Sequence, residues 1–206
     1  MKKLLLLCAL FTAVPAFAQN YYGLQEYGLR KNTTRVEFYG GMVLPRDNWD
    51  HNGHDLGTTG WTAGIGFTRN IVPFFGLGLD ANYAQLGDGE KDASRAYYRT
   101  GIATGLVTGR FTLFPSQATR VYVPFGMGLA HSFARLKKAD GSHVTTDGTD
   151  LAQMVGAGLE FDMDESIIFG LEGRYYLIDA DDEFKKAFGK SRYHHYWLML
   201  KIGCRF

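Results

Sequence analysis

The sequence predicts an all-β protein, an eight-stranded antiparallel up-and-down transmembrane β-barrel. Three observations lead to this fold class. Apolar and polar residues alternate with a period of two through most of the chain, as they do in strands with two different faces. Long and short connections take turns along the chain, and charged residues are sorted onto one face of the strands. A barrel that crosses a membrane with antiparallel strands combines these three features.

Eight segments carry the alternation, and turn-forming residues separate them. The predicted strands are 33–45, 58–69, 73–85, 97–113, 120–135, 151–163, 166–178 and 193–206. The long, polar connections are Arg46 to Gly57, Leu86 to Ala96, Leu136 to Asp150 and Asp179 to Arg192. The short ones are Asn70 to Val72, Phe114 to Thr119 and Asp164 to Glu165. This sorting predicts short periplasmic turns, four long external loops, and both termini on the short-turn side.

The two faces of the strands differ in charge. Away from the strand ends, one face has no charged residue, and we expect it to face lipid. The opposite face carries ten charges, five acidic and five basic: Arg35, Glu37, Asp80, Arg110, Glu160, Asp162, Glu172, Arg174, Lys201 and Arg205. We expect this set to form a charge network in the lumen, because buried charges need partners. Its groups either pair and plug the lumen or line a path for ions.

A soluble, lipocalin-like barrel is the alternative, because it shows the same alternation with its apolar face inside. The glycines on the charged face, such as Gly64, Gly126 and Gly158, instead suit a narrow and packed interior. Aromatic residues near the strand ends suit the two interfacial girdles of a membrane barrel. The girdle candidates are Tyr83, Tyr97, Tyr98, Phe114, Tyr122, Tyr193 and Trp197.

The N-terminus predicts export. Lys2 and Lys3 precede an apolar run over 4–14, and a small-x-small cleavage pattern ends at Ala18. Residues 1–18 therefore have the pattern of a cleaved signal peptide.

The rest of the chain divides into an N-terminal periplasmic extension over 19–32 and the barrel over 33–206. A 46% share of hydrophobic residues excludes a disordered chain, and two cysteines exclude a disulfide framework. A net charge of +1 gives no support to nucleic-acid binding.

The last strand resembles the terminal strand of outer-membrane β-barrel proteins, which ends in Phe and has hydrophobic residues at every second position before it. The matching positions are Tyr196, Leu198, Leu200, Ile202, Cys204 and Phe206, and Lys201 stands where that family often has glycine. The whole barrel is similar to the small eight-stranded group that includes the OmpA transmembrane domain and OmpX. The resemblance implies an outer-membrane location, lipid and lipopolysaccharide as surroundings, and an internal polar network. It also implies that the outer-membrane assembly machinery reads the terminal strand; we expect a monomer.

Few motifs point to chemistry. The first long loop contains the run from Asp50 to Asp55, whose His and Asp residues are metal-ligand types, but its spacing matches no standard zinc motif. His131 and Ser132 are adjacent in a strand and so face opposite sides, which excludes the nucleophile–base pair of a lipid A deacylase. We expect no metal, no cofactor and no enzymatic activity.

Three functional hypotheses follow. The first is a non-enzymatic outer-membrane protein that contributes to envelope structure and displays surface loops. The second is a narrow pore for small solutes or ions, suggested by the ten inward charges. The third is adhesion or ligand binding through the long external loops.

Overall fold

The computed structural model describes residues 33–46, 50–51, 54–55, 58–87, 97–137, 143–163, 166–179 and 192–206. Eight long strands form one sheet: β1 Thr34–Pro45, β2 Thr58–Val72, β3 Phe75–Gly87, β4 Tyr97–Leu113, β5 Thr119–Lys137, β6 His143–Asp162, β7 Ile167–Asp179 and β8 Arg192–Arg205. Each strand pairs antiparallel with the next, and β1 pairs with β8. The predicted eight-stranded up-and-down barrel is confirmed. In the described part of the chain, no helix has the length and hydropathy needed to cross a bilayer.

The first and last strands close the barrel. Their register places Phe38 opposite Ile202, and two backbone hydrogen bonds of 2.9 and 3.1 Å join Thr34 with Phe206. Closure leaves no open edge between these strands. A sheet in hydrocarbon requires this, because lipid offers no partners for free N–H and C=O groups.

The outer surface of the barrel is apolar. Every large hydrophobic side chain that is exposed on a described strand lies on the face predicted to point outward; Leu79 and Leu200 are 61% and 70% exposed. The opposite face is buried and contains the charged side chains. The period-two pattern therefore gave the correct inside and outside of each strand.

Two predicted connections are wrong in their bounds. β6 begins at His143 and not at residue 151, and the β5–β6 ladder continues to the pair Lys137–His143. The segment 143–150 has a single apolar residue, Val144, so it lacks the alternation that marks a half-buried strand. The predicted turn at Asn70 to Val72 belongs to β2, and the turn itself lies at 73–74.

The predicted aromatic girdle is partly wrong. Three of its members, Tyr122, Tyr193 and Trp197, are buried inside the barrel. Each occupies an inward position in the alternation of its strand, and this alternation determines the direction of the side chain even near a strand end. Phe114, at the start of a short turn, is 53% exposed, and Tyr83 lies on the outer face. The side chains of residues 97 and 98 lie outside the described part of the structure.

Candidate functional site

The interior next to the short turns, here called the short-turn half, is built around the carboxylate of Glu160 on β6. Arg35 Nη1 and Arg120 Nε donate to it at 3.1 and 3.0 Å, and Arg110 also donates to it. Glu160, Arg35 and Arg120 have no solvent-exposed surface. One acidic group therefore joins three arginines that come from three other strands.

A second buried carboxylate, that of Glu172 on β7, binds Lys201 Nζ at 3.1 Å and also accepts hydrogen bonds from Arg174 and the Tyr122 hydroxyl. Lys201 Nζ also lies 3.0 Å from Glu37 Oε1. Because Arg110 donates to that same oxygen at 2.9 Å, the two acidic centres belong to one network.

The remaining charges extend the network toward both ends. Arg174 Nη1 donates to Asp80 Oδ1 at 2.9 Å and to the Tyr176 hydroxyl at 3.1 Å. At the rim, Asp162 accepts from Arg120 Nη1 at 2.7 Å and from Arg205 Nη1 at 3.2 Å. The structure thus places all ten predicted lumen charges on the inside and brings them together.

The network links all eight strands. β2 joins it through Asn70, whose Oδ1 accepts from Arg35 Nη2 at 3.1 Å. The guanidinium carbon of Arg110 lies 3.6 Å from the centre of the Tyr122 ring, which adds a cation–π contact. Bridges from every strand fill the narrow space of an eight-stranded barrel with side chains.

The interior next to the long loops, here called the long-loop half, has the opposite chemistry. The Trp197 indole stacks on the Tyr176 ring with centroids 4.1 Å apart, directly beyond the last charges. The other buried side chains of this hydrophobic cluster are Tyr39, Val43, Ala84, Leu86, Ile102, Leu106, Ala130, Ala134, Ala152, Met154, Ile178, Tyr193 and Met199. Apolar packing fills most of this half, and a few polar side chains, among them Asp150 and His195, are buried with it.

The sequence analysis missed two features of this interior. Arg120 is a full member of the network. It lies two residues before the inward Tyr122, so the alternation of the strand could have revealed it. The apolar residues of the long-loop half, such as Leu86 and Ile102, share the parity of the charged residues. Because these residues are uncharged, the charge pattern does not mark them as inward-facing.

The other predicted sites lie away from this interior. In the first loop, Asp50 pairs with Asp55 and His51 with His54 in a short ladder, but their side chains and residues 52–53 lie outside the described part. Among the described residues, no group of three or more His, Cys, Asp or Glu side chains is placed to hold a metal ion. His131 is exposed on the outer face, whereas Ser132 is buried.

The terminal strand presents its alternating hydrophobic residues outward. Tyr196, Leu198, Leu200, Ile202, Cys204 and Phe206 are all exposed. They form a continuous apolar stripe on β8, beside the seam where β8 meets β1.

Comparison with known proteins agrees with this architecture. The family model for the outer membrane protein β-barrel domain matches residues 4–203, and the chain belongs to this family. No curated protein matches the chain.

Several solved structures share the fold. The attachment invasion locus protein Ail of Yersinia pestis, solved in complex with the heparin analogue sucrose octasulfate, is 15% identical with a TM-score of 0.53; the match covers 85% of this chain and 99% of Ail. OprG of Pseudomonas aeruginosa is 15% identical with a TM-score of 0.52, over 87% and 98% of the two chains. A major outer membrane protein of Thermus thermophilus is 13% identical with a TM-score of 0.56, over 84% and 98% of the two chains.

Proposed function

We propose that this protein is a closed, non-enzymatic outer-membrane barrel that contributes to envelope structure and displays its long loops at the cell surface. The observation that carries the proposal is the filled interior. The short-turn half is crossed by ion pairs and hydrogen bonds that together involve every strand, and the long-loop half is packed mainly with apolar side chains. A lumen closed by two different kinds of packing leaves the outer surface and the loops as the parts available for function.

Planar-bilayer recording of the purified protein tests this proposal against the pore hypothesis. We expect no steady current, with a wide porin as the positive control for the bilayer. Steady ohmic current that changes with Glu172→Gln or Arg110→Ala would establish the pore instead. Both residues belong to the network of the short-turn half, so an ion passing through the barrel would have to meet them.

The extended β5–β6 hairpin favours adhesion as a second candidate function. Its ladder reaches Lys137–His143, whereas the β6–β7 ladder ends at Ala152–Ile178. On its other side, β4 accompanies β5 to the pair Tyr97–Lys137. Three adjacent strands therefore continue beyond β7 and can hold a binding surface above the membrane. Ail shares this fold and was solved with a heparin analogue bound, so a sulfated saccharide is the first ligand to test.

A shortened hairpin tests adhesion. Residues 136–144 are replaced by Asn-Gly, a two-residue turn that suits an antiparallel hairpin. Adhesion predicts that cells with the wild-type barrel bind a sulfated-saccharide surface and that cells with the shortened barrel do not. Equal binding by both, at equal surface amounts of folded barrel, would exclude this role for the hairpin.

Export and assembly complete the proposal. Residues 1–18 direct export and are removed, and residues 19–32 remain as a periplasmic extension. The outward stripe on β8 is the assembly signal, with Phe206 at its end. A Phe206→Ser variant should accumulate unfolded in the periplasm, whereas Phe114→Ser, at an exposed turn position, should reach the outer membrane normally.

A further inference from the structure

A groove lies on the outer face of the barrel, separate from both halves of the interior. It crosses β2 to β5, where Ile65, Ala81, Gly105 and Leu129 stand side by side in consecutive ladders. The two small residues lie between two large ones, so the surface is recessed. A Cβ atom added at Gly105 would have no other atom within 4 Å. The recess has a volume of about 450 Å³ and is open toward the surroundings of the barrel.

The borders of this outer groove are apolar. Toward the short turns it is closed by Leu79 and Val107. Toward the long loops, the Tyr83 and Phe133 rings stack with centroids 6.1 Å apart, and Trp61 lies 5.5 Å from Tyr83. In a membrane barrel this surface faces hydrocarbon, so the groove accepts an acyl chain.

Positive charge lies beyond the aromatic border. Arg135 is exposed on β5, and Arg99 is its direct neighbour in the β4–β5 ladder. An exposed arginine at this level of the barrel can attract the phosphate of a lipid. On its other side Arg135 pairs with Thr145, and the nearest acidic position in this ladder is the diagonal Asp147.

The spacing between the groove and Arg135 matches a lipid. Arg135 lies six residues beyond Leu129, which is about 20 Å along a strand and about 15 Å along the axis of a tilted barrel. Half of a bilayer core of ~30 Å has the same thickness. A lipid whose phosphate meets Arg135 can therefore place the end of an acyl chain in the groove.

We propose that the outer groove and Arg135 form a binding site for lipid A, the phosphorylated and acylated anchor of lipopolysaccharide. One acyl chain occupies the recess over Gly105, and one phosphate lies at Arg135. The site is on the long-loop side, where the outer leaflet of the outer membrane lies. The proposal requires a membrane-embedded barrel but does not depend on a closed lumen, so a conducting barrel would leave it standing.

The test uses the full barrel in nanodiscs of phosphatidylcholine with bisphosphorylated lipid A as the probe, and native mass spectrometry counts the bound lipid A. Gly105→Leu fills the recess, and Arg135→Gln removes the charge. The matched controls are Gly173→Leu, on the outer face of β7 where an added Cβ meets only the Ala157 carbonyl at 4.0 Å, and Arg69→Gln, exposed at the short-turn end of β2. Gel migration with and without boiling checks that each variant is folded.

We expect one tightly held lipid A on the wild-type barrel. Binding should be about fivefold weaker in Arg135→Gln, the effect of one interfacial arginine, and should also weaken in Gly105→Leu, which fills the recess. The controls should bind as the wild type does. Unchanged binding in Gly105→Leu and Arg135→Gln would overturn the proposal, as would equal losses in the controls. Equal competition by phosphatidylglycerol would also overturn it, since the surface would then attract any anionic lipid.

Discussion

The two halves of the interior fill the same barrel with opposite chemistry. In the short-turn half, Glu160 binds three cations and Glu172 binds two, through directional hydrogen bonds. In the long-loop half, Trp197, Ile102 and their apolar neighbours are held mainly by van der Waals packing. Charged networks allow few arrangements because an unpaired buried charge is costly, whereas apolar cores tolerate changes that keep volume. The short-turn half should therefore determine strand register, and the long-loop half should exclude water.

The largest effect is expected from Glu160→Gln in the short-turn half. Loss of this carboxylate charge leaves Arg35, Arg110 and Arg120 buried without their shared partner. The free energy of unfolding should fall by about 3–5 kcal/mol. Urea titration in phospholipid vesicles measures it, and a loss below ~1 kcal/mol would mean that these arginines are hydrated.

A pair of adjacent inward positions on β8 compares the two halves directly. Lys201→Met removes the cation between Glu37 and Glu172 at similar volume and should cost about 3–5 kcal/mol. Met199 is the inward residue just before Lys201 on β8. Met199→Leu should lower the free energy of unfolding by less than ~1.5 kcal/mol. Similar losses for both variants in the same urea titration would contradict the division into two halves.

Cavity formation tests the packing of the long-loop half. Ile102→Ala removes a fully buried side chain and should cost about 2–5 kcal/mol, because the neighbours can fill the space only in part. Leu79→Ala on the outer face should cost less, since lipid fills the gap. A larger loss for Leu79→Ala would show that the interior is loosely packed.

The smallest effect is expected at the exposed ion pair near the long loops. Arg192 Nε lies 2.8 Å from Asp179 Oδ1, and both side chains are well exposed. Asp179→Asn should lower the free energy of unfolding by about 0–1 kcal/mol, with the loss shrinking further at high salt. A loss as large as that of Glu160→Gln would mean that burial does not set the strength of these pairs.

Sequence alone predicted the strand number, the closure and the two faces, because the side chains of a strand alternate with a fixed period. The prediction failed where apolar and polar residues do not alternate along the strand. The segment 143–150 is polar apart from Val144, and its strand is visible only from its pairing with β5. Trp197 was assigned to an interface by its place near a strand end, although its neighbours Tyr196 and Leu198 already pointed outward.

The candidate sites show the same limit. Parity places Glu160 and Arg35 on the inside, but only the closed barrel shows that they meet across 125 positions of sequence. The outer groove was likewise invisible, because a row across four strands depends on three ladders in register. Long-range pairing of this kind leaves no local pattern in one sequence.

The most direct test of the account uses two neighbouring residues of β8, Met199 and Leu200, in a chain of residues 19–206 carrying Cys204→Ser. Leu200→Cys, on the outer face, should react with a maleimide dissolved in the lipid tails. Met199→Cys, in the long-loop half, should react with neither that reagent nor a water-soluble maleimide. Reaction of Met199→Cys with the lipid-dissolved reagent would mean that the assignment of inner and outer faces is reversed. Its reaction with the water-soluble reagent would show an open, hydrated lumen.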